Sequence, residues 1–160
     1  MIFEEFSEDE QKQLIQYMLD NQPLDEAIKE VAVNNDLLKL IDVLVQNDKD
    51  NKGLILGLIP SSKDLMGTYG LFDGRHYDLT FVENQEGKKF LMLFSSEGAF
   101  FKHPNLQGLL YFVRDILQVA LDKEEIDGVA FNVDSECEIL IDKFTIRAVL
   151  SLIGKKGEKN

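Results

Sequence analysis

The period of the apolar positions changes at Gly53. Before it, apolar residues recur three and four apart, the spacing of one helix face; after it they come in short continuous or alternating runs, the mark of strands. Residues 7–20, SEDEQKQLIQYMLD, predict a first helix. Ser7 is placed as N-cap, Glu8, Asp9 and Glu10 fill the first turn where the helix dipole favours negative charge, and Glu10 stands at capping-box spacing from Ser7. Leu14, Tyr17 and Met18 share one face. A second helix starts in NQPLDEAIKEVAV with Pro23 in its first turn and Leu24, Ala27, Ile28 and Val31 as its stripe. The polar NND at 34–36 breaks it and caps a third, LLKLIDVLVQ, apolar at Leu37, Leu40, Ile41 and Leu44.

LILGLIP then predicts a buried strand ending at Pro60, and the glycine-containing residues 61–77 predict a loop. DLTFVEN (78–84), the turn QEGKK and KFLMLF (89–94) predict a hairpin. Ser95 is expected to cap a helical turn over SEGAFF. Leu106, Leu109, Leu110, Val113, Ile116, Leu117 and Ala120 predict the strongest helix of the chain, within residues 103–125. A second hairpin is expected from DGVAFNV (127–133) and CEILID (137–142), and a last helix, KFTIRAVLSLIG, stopping at Gly154. The order predicts an α+β fold with a mixed or largely antiparallel sheet containing hairpins and packed by helices. Residues 1–50 form a helical appendage, 53–154 an α/β domain and 155–160 a frayed tail.

Composition narrows the partners. Asp plus Glu number 29 against 17 Lys plus Arg, a net charge of −12. That field repels phosphate backbones and anionic lipid heads, so nucleic acid and membrane surfaces are not expected partners, and a basic protein segment is. The N-terminal MIFEEFSEDEQ lacks the features of a signal peptide and no apolar run is long enough to span a bilayer, so a cytoplasmic location is expected.

Chemistry is sparse. The single Cys137 excludes an intramolecular disulfide and a cysteine-based zinc site. Asp127, Asp134, Glu136, Glu138 and Asp142 surround it, but the spacing of a calcium-binding EF-hand is absent. Strand alternation sets Glu136, Glu138 and Leu140 on one face and Cys137, Ile139 and Ile141 on the other, a hairpin with a wet and a dry side. Neither a phosphate-binding glycine loop nor a nucleophile-elbow motif occurs. No cofactor and no metal are expected.

KFLMLFSSEGAFFKHP, then an amphipathic helix, then IDGVAFNVDSECEILIDKFTIRAVL resembles the N-terminal domain of the SseB family, bacterial cytoplasmic proteins described as enhanced-serine-sensitivity or secretion-associated. The matching positions are Phe94, Ser95, Ser96 and Glu97, then Asp127, Gly128, Val129 and Asn132, in a resemblance covering roughly residues 53–153. The family threonine is Ser95 here and the family proline after the asparagine is Val133. The resemblance implies an interaction module and no catalytic residue set.

Three functional expectations follow. The first is a non-enzymatic protein-interaction module that binds through the sheet face, the 61–77 loop or the helical appendage. Tyr69, Phe72, Phe100 and Phe101 are its candidate anchors, with core plugs beneath a loop as the competing role. The second is a chaperone or regulator of a secreted or toxic partner, acting as a homodimer or in a tight one-to-one complex with a basic segment. The third is a hydrolase or small-ligand enzyme around Ser95, His103 and Asp127, which requires a deep polar pocket there.

Overall fold

The computed structural model describes residues 7–60, 69–71, 77–79, 81–104 and 106–157. Three helices come first: α1 (Glu8–Leu19), α2 (Gln22–Asn34) and α3 (Leu37–Lys49). Their ends are set by local chemistry. Ser7 and Glu10 form the expected capping box, and Asn21 and Asp36 cap the next two helices by accepting from Leu24 N and Lys39 N. Asn35, left-handed at φ 59°, separates α2 from α3.

The strands are β1 (Gly53–Pro60), β2 (Tyr69–Leu71), β3 (Tyr77–Leu79), β4 (Phe81–Glu83), β5 (Lys89–Phe94), β6 (Gln107–Phe112), β7 (Gly128–Phe131) and β8 (Ile139–Asp142). Helices α4 (Glu97–Phe100), α5 (Val113–Asp122) and α6 (Lys143–Gly157) alternate with them. The sheet runs β2-β6-β1-β5-β7-β8, with β3 on β1 and β4 on β5. Two pairs, β2–β6 and β5–β7, are parallel and the others antiparallel. The fold is α+β with a mixed sheet.

Both faces of the central strands are buried, which is why they read as continuous apolar runs. Leu54, Leu56, Leu91, Leu93, Val129 and Phe131 face a core shared with α2, α3, α5 and α6. Ile55, Phe90, Met92, Phe94 and Ala130 face a second core with Met18 and Leu19 of α1 and Phe100 of α4. The helices of residues 1–50 thus pack on the sheet, α1 on one side and α2 and α3 on the other.

Several expected elements differ. The long helix over 103–125 is instead β6 followed by α5. Leu109 and Leu110 alternate to opposite sheet faces, and the six residues of β6 pair in continuous register with Gly53–Leu58 of β1. A strand buried on both faces carries adjacent leucines, and here their spacing ran smoothly into the helical stripe of α5. Residues 61–77 hold β2 and the start of β3 besides segments outside the described residues. The expected strand over 78–84 is two short strands with different partners, β3 on Leu58–Pro60 of β1 and β4 on Lys89–Leu91 of β5. The cap of α4 is Ser96, which accepts from Ala99 N at 3.2 Å, and not Ser95. α6 continues through Gly154 to Gly157, since a single glycine costs a helix only about 1 kcal/mol. β8 begins at Ile139, two residues after Cys137.

α5 lacks a side-chain cap of its own, because its N-cap residue is Phe112. Asp48 of α3 supplies one. Its Oδ1 accepts from Arg114 N at 3.2 Å and its Oδ2 meets Arg114 Nη2 at 2.9 Å.

Candidate functional site

Ser95 and Asn132 meet where the parallel strands β5 and β7 end. Leaving β7, Asn132 turns left-handed at φ 54°, a conformation asparagine tolerates better than most residues. The turn directs its side chain at Ser95, the residue after β5. Asn132 Oδ1 accepts from Ser95 N at 3.0 Å, and Asn132 Nδ2 donates to Ser95 Oγ at 2.9 Å. Ser95 Oγ donates onward to Asp25 Oδ1 at 2.5 Å. A directed chain of donors therefore runs from Asn132 through Ser95 to a carboxylate in the first turn of α2. Asn132 and Ser95 are buried, whereas Asp25 sits at the rim with its outer surface exposed. Burial pushes the Asp25 carboxyl above its ordinary range, and the Ser95 hydrogen bond opposes part of that rise. The buried side-chain polar atoms of Ser95 and Asn132 have partners inside the protein, so the network locks α2 to two strand ends.

Asp127 and Gly128 hold the opposite end of the same strands. Asp127 N donates to Lys89 O at 2.7 Å and its Oδ2 accepts from Lys89 N at 2.9 Å, fixing the start of β5 beside β7. A Cβ at Gly128 would stand 1.9 Å from Ile141 O, inside any van der Waals contact. Only glycine allows β7 and β8 to approach here.

Ser95, His103 and Asp127 do not form one constellation. Ser95 is fully buried and engaged with Asp25 and Asn132. His103 Nε2 lies 2.9 Å from Val133 O; a carbonyl only accepts, so this nitrogen carries the proton. The His103 ring also packs on Phe94 with centroids 5.2 Å apart. Asp127 is committed to Lys89. Among the described residues, no three His, Cys, Asp or Glu side chains converge as metal ligands, and no helix is long and apolar enough to cross a membrane. Cys137 is half-buried against the main core, on the dry side of the hairpin.

The aromatic anchors separate. Phe100 is fully buried edge-on to Phe94 at 5.6 Å, a core plug and not a surface anchor. Phe101 is exposed. Tyr69 lies in β2, and its side chain and Phe72 lie outside the described residues. The sequence reading missed Asp25 as the third member of the Ser95 network, and it missed Phe144.

Phe144 belongs to a second feature. β8 ends the sheet: it pairs with β7 on one side and, among the described residues, with no strand on the other. Its Leu140 is 43% exposed, and Phe144 in the first turn of α6 is 78% exposed. Both line a groove of about 610 Å³ with Leu37 of α3. Glu86, Glu124, Asp127 and Asp142 also line it, against Lys88, Lys143 and Arg147. Two of those cations are engaged already, Lys88 Nζ at 3.7 Å from Glu86 and Lys143 Nζ at 2.8 Å from Lys123 O.

No family model, curated protein or solved structure matches the chain.

Proposed function

We propose that this chain is a non-enzymatic interaction module of SseB-like type and that it binds an extended, basic segment of a partner protein along the β8 edge. The observation that carries the reading is the outer edge of β8, unpaired among the described residues and bordered by exposed Leu140 and Phe144. An edge strand offers a row of backbone donors and acceptors to an incoming strand, and neighbouring apolar side chains give that strand its anchors.

Charge favours a basic occupant over a second copy of the chain. In an antiparallel pair of β8 strands, registers that centre on Leu140 set Glu138 opposite Asp142, and like charges directly opposite are destabilising. A Lys- or Arg-containing segment meets the same carboxylates favourably and is drawn by the net charge of −12. In this reading Ser95, Asn132, Asp127 and Gly128 act as the frame that holds β5, β7 and β8 in position.

The test compares the intact protein with a Phe144→Asp variant in affinity purification from its own cells. The fold of the variant is checked by circular dichroism and is expected to be unchanged, because Phe144 is mostly exposed. Partners bearing a basic extended segment should come down with the intact protein and be lost with the variant. Equal recovery of the same partners by both proteins would remove the groove from the account.

A further inference from the structure

A separate cleft lies where α1 ends, α2 begins and α3 ends. It has a volume of about 360 Å³ and is lined by Asn21, Asn47, Val43, Gln46, Asp50 and Lys52 among others. Asn21 and Asn47 are 3% and 4% exposed, and the Nδ2 group of each is fully buried with no hydrogen-bond acceptor among the described residues. Buried amide groups are nearly always hydrogen-bonded, and two orphans lining one cleft indicate that their acceptor comes from outside the chain. The orientation of Asn21 is not arbitrary. Its Oδ1 accepts from Leu24 N at 3.4 Å to cap α2, which leaves Nδ2 as the free end.

The surroundings describe the missing group. Lys52 Nζ is fixed beside the cleft by Tyr17 O at 2.9 Å and Asp20 O at 3.0 Å, with the Tyr17 ring 3.7 Å away. The Asp50 carboxylate is held by Gln46 Nε2 at 3.2 Å to each oxygen. Lys52 Nζ and Gln46 Nε2 are thus engaged within the protein, the Nδ2 groups of Asn21 and Asn47 remain as the donors lining the cleft, and the positive end of α2 adds to them. The carboxylates Asp20 and Asp50 stand nearby and oppose a full negative charge. We infer that this cleft, lined by the orphan amides of Asn21 and Asn47, is a binding site for a small molecule presenting a carbonyl oxygen, with a neutral amide preferred over a carboxylate. The volume lies in the range of small-ligand sites.

Acetamide and acetate are matched probes, of one shape and differing in charge. With the full-length protein labelled with nitrogen-15, acetamide should shift the side-chain amide resonances of Asn21 and Asn47 in a saturable manner, and acetate should do so more weakly. Asn47→Asp replaces a donor by an acceptor at nearly constant shape and should weaken acetamide about tenfold, the order of one lost hydrogen bond. Should that variant fail to fold, the resonances of the intact protein decide alone. Linear, unsaturable shifts, or no shift at those two side chains, would mean that water alone satisfies the amides and would overturn the inference. Stronger binding of acetate than of acetamide would overturn the preference for a neutral ligand.

Discussion

Asn132 allows the backbone and side-chain parts of its role to be separated. Replacing it by alanine removes both hydrogen bonds to Ser95. The buried Ser95 N–H then has no acceptor, a loss of about 1–3 kcal/mol. Alanine must also hold the left-handed φ of 54°, at about 1–2 kcal/mol. The total is about 2–5 kcal/mol. Glycine loses the same hydrogen bonds but holds that φ without strain, at roughly 0.4–1 kcal/mol for the freer unfolded chain. Asn132→Ala should therefore be the less stable variant by up to about 1.6 kcal/mol. The pair is measured by urea unfolding, reading midpoints at constant slope, or by heating, where a chain of this size shifts about 2–4 °C per kcal/mol. A loss below about 0.5 kcal/mol in Asn132→Ala, the level of an ordinary surface change, would refute the claim that the Asp25–Ser95–Asn132 chain holds the strand ends. Equal loss in both variants would refute the backbone part alone.

Other predictions rest on independent contacts. Gly128→Ala should break the β7–β8 pairing and cost at least the ~1–3 kcal/mol of core overpacking, because the neighbour its Cβ meets is backbone that cannot swing aside; unfolding by urea measures it. Asp48→Ala should remove the borrowed cap of α5 at about 0.5–2 kcal/mol, and the same midpoints check it against Asp42→Ala on the exposed side of α3. The Asp25 carboxyl is raised above its ordinary 3.8 by burial, so the folded chain holds the proton to higher pH than the unfolded one. Stability from this group is full below the ordinary value and is lost as pH rises through the raised one. Asp25→Asn should flatten that part of the pH–stability profile, and identical slopes in both proteins would contradict it.

Much of the fold was legible because caps and turns are local. Ser7 with Glu10, Pro23, and the NND ending at Asp36 mark their helix starts by local chemistry, whereas the cap at Asn21 was not singled out. The alternation over Ile139–Asp142 likewise gave the wet and dry sides of β8. What misled was non-local. Leu106, Leu109 and Leu110 fit a helical stripe, and only the pairing of Leu109 and Leu110 with Leu56 and Ile55 of β1 makes them strand. The role of Ser95 was equally hidden, since its partners are Asp25 and Asn132, one from α2 and one beyond β7. The exposure of Phe144 depends on how α6 packs against the rest of the fold, and β8 as a sheet edge is a property of strand order. The orphan amides of Asn21 and Asn47 likewise exist only once three helix ends meet.

The central claim is that β8 receives the partner. Amide hydrogen exchange of the purified protein, alone and with a captured partner, tests it most directly. The account predicts slowed exchange at Ile139–Asp142 and around Phe144 on binding, with the α1 surface unchanged. Protection confined to α1, α4 or the β2 edge, with β8 exchanging as before, would contradict it.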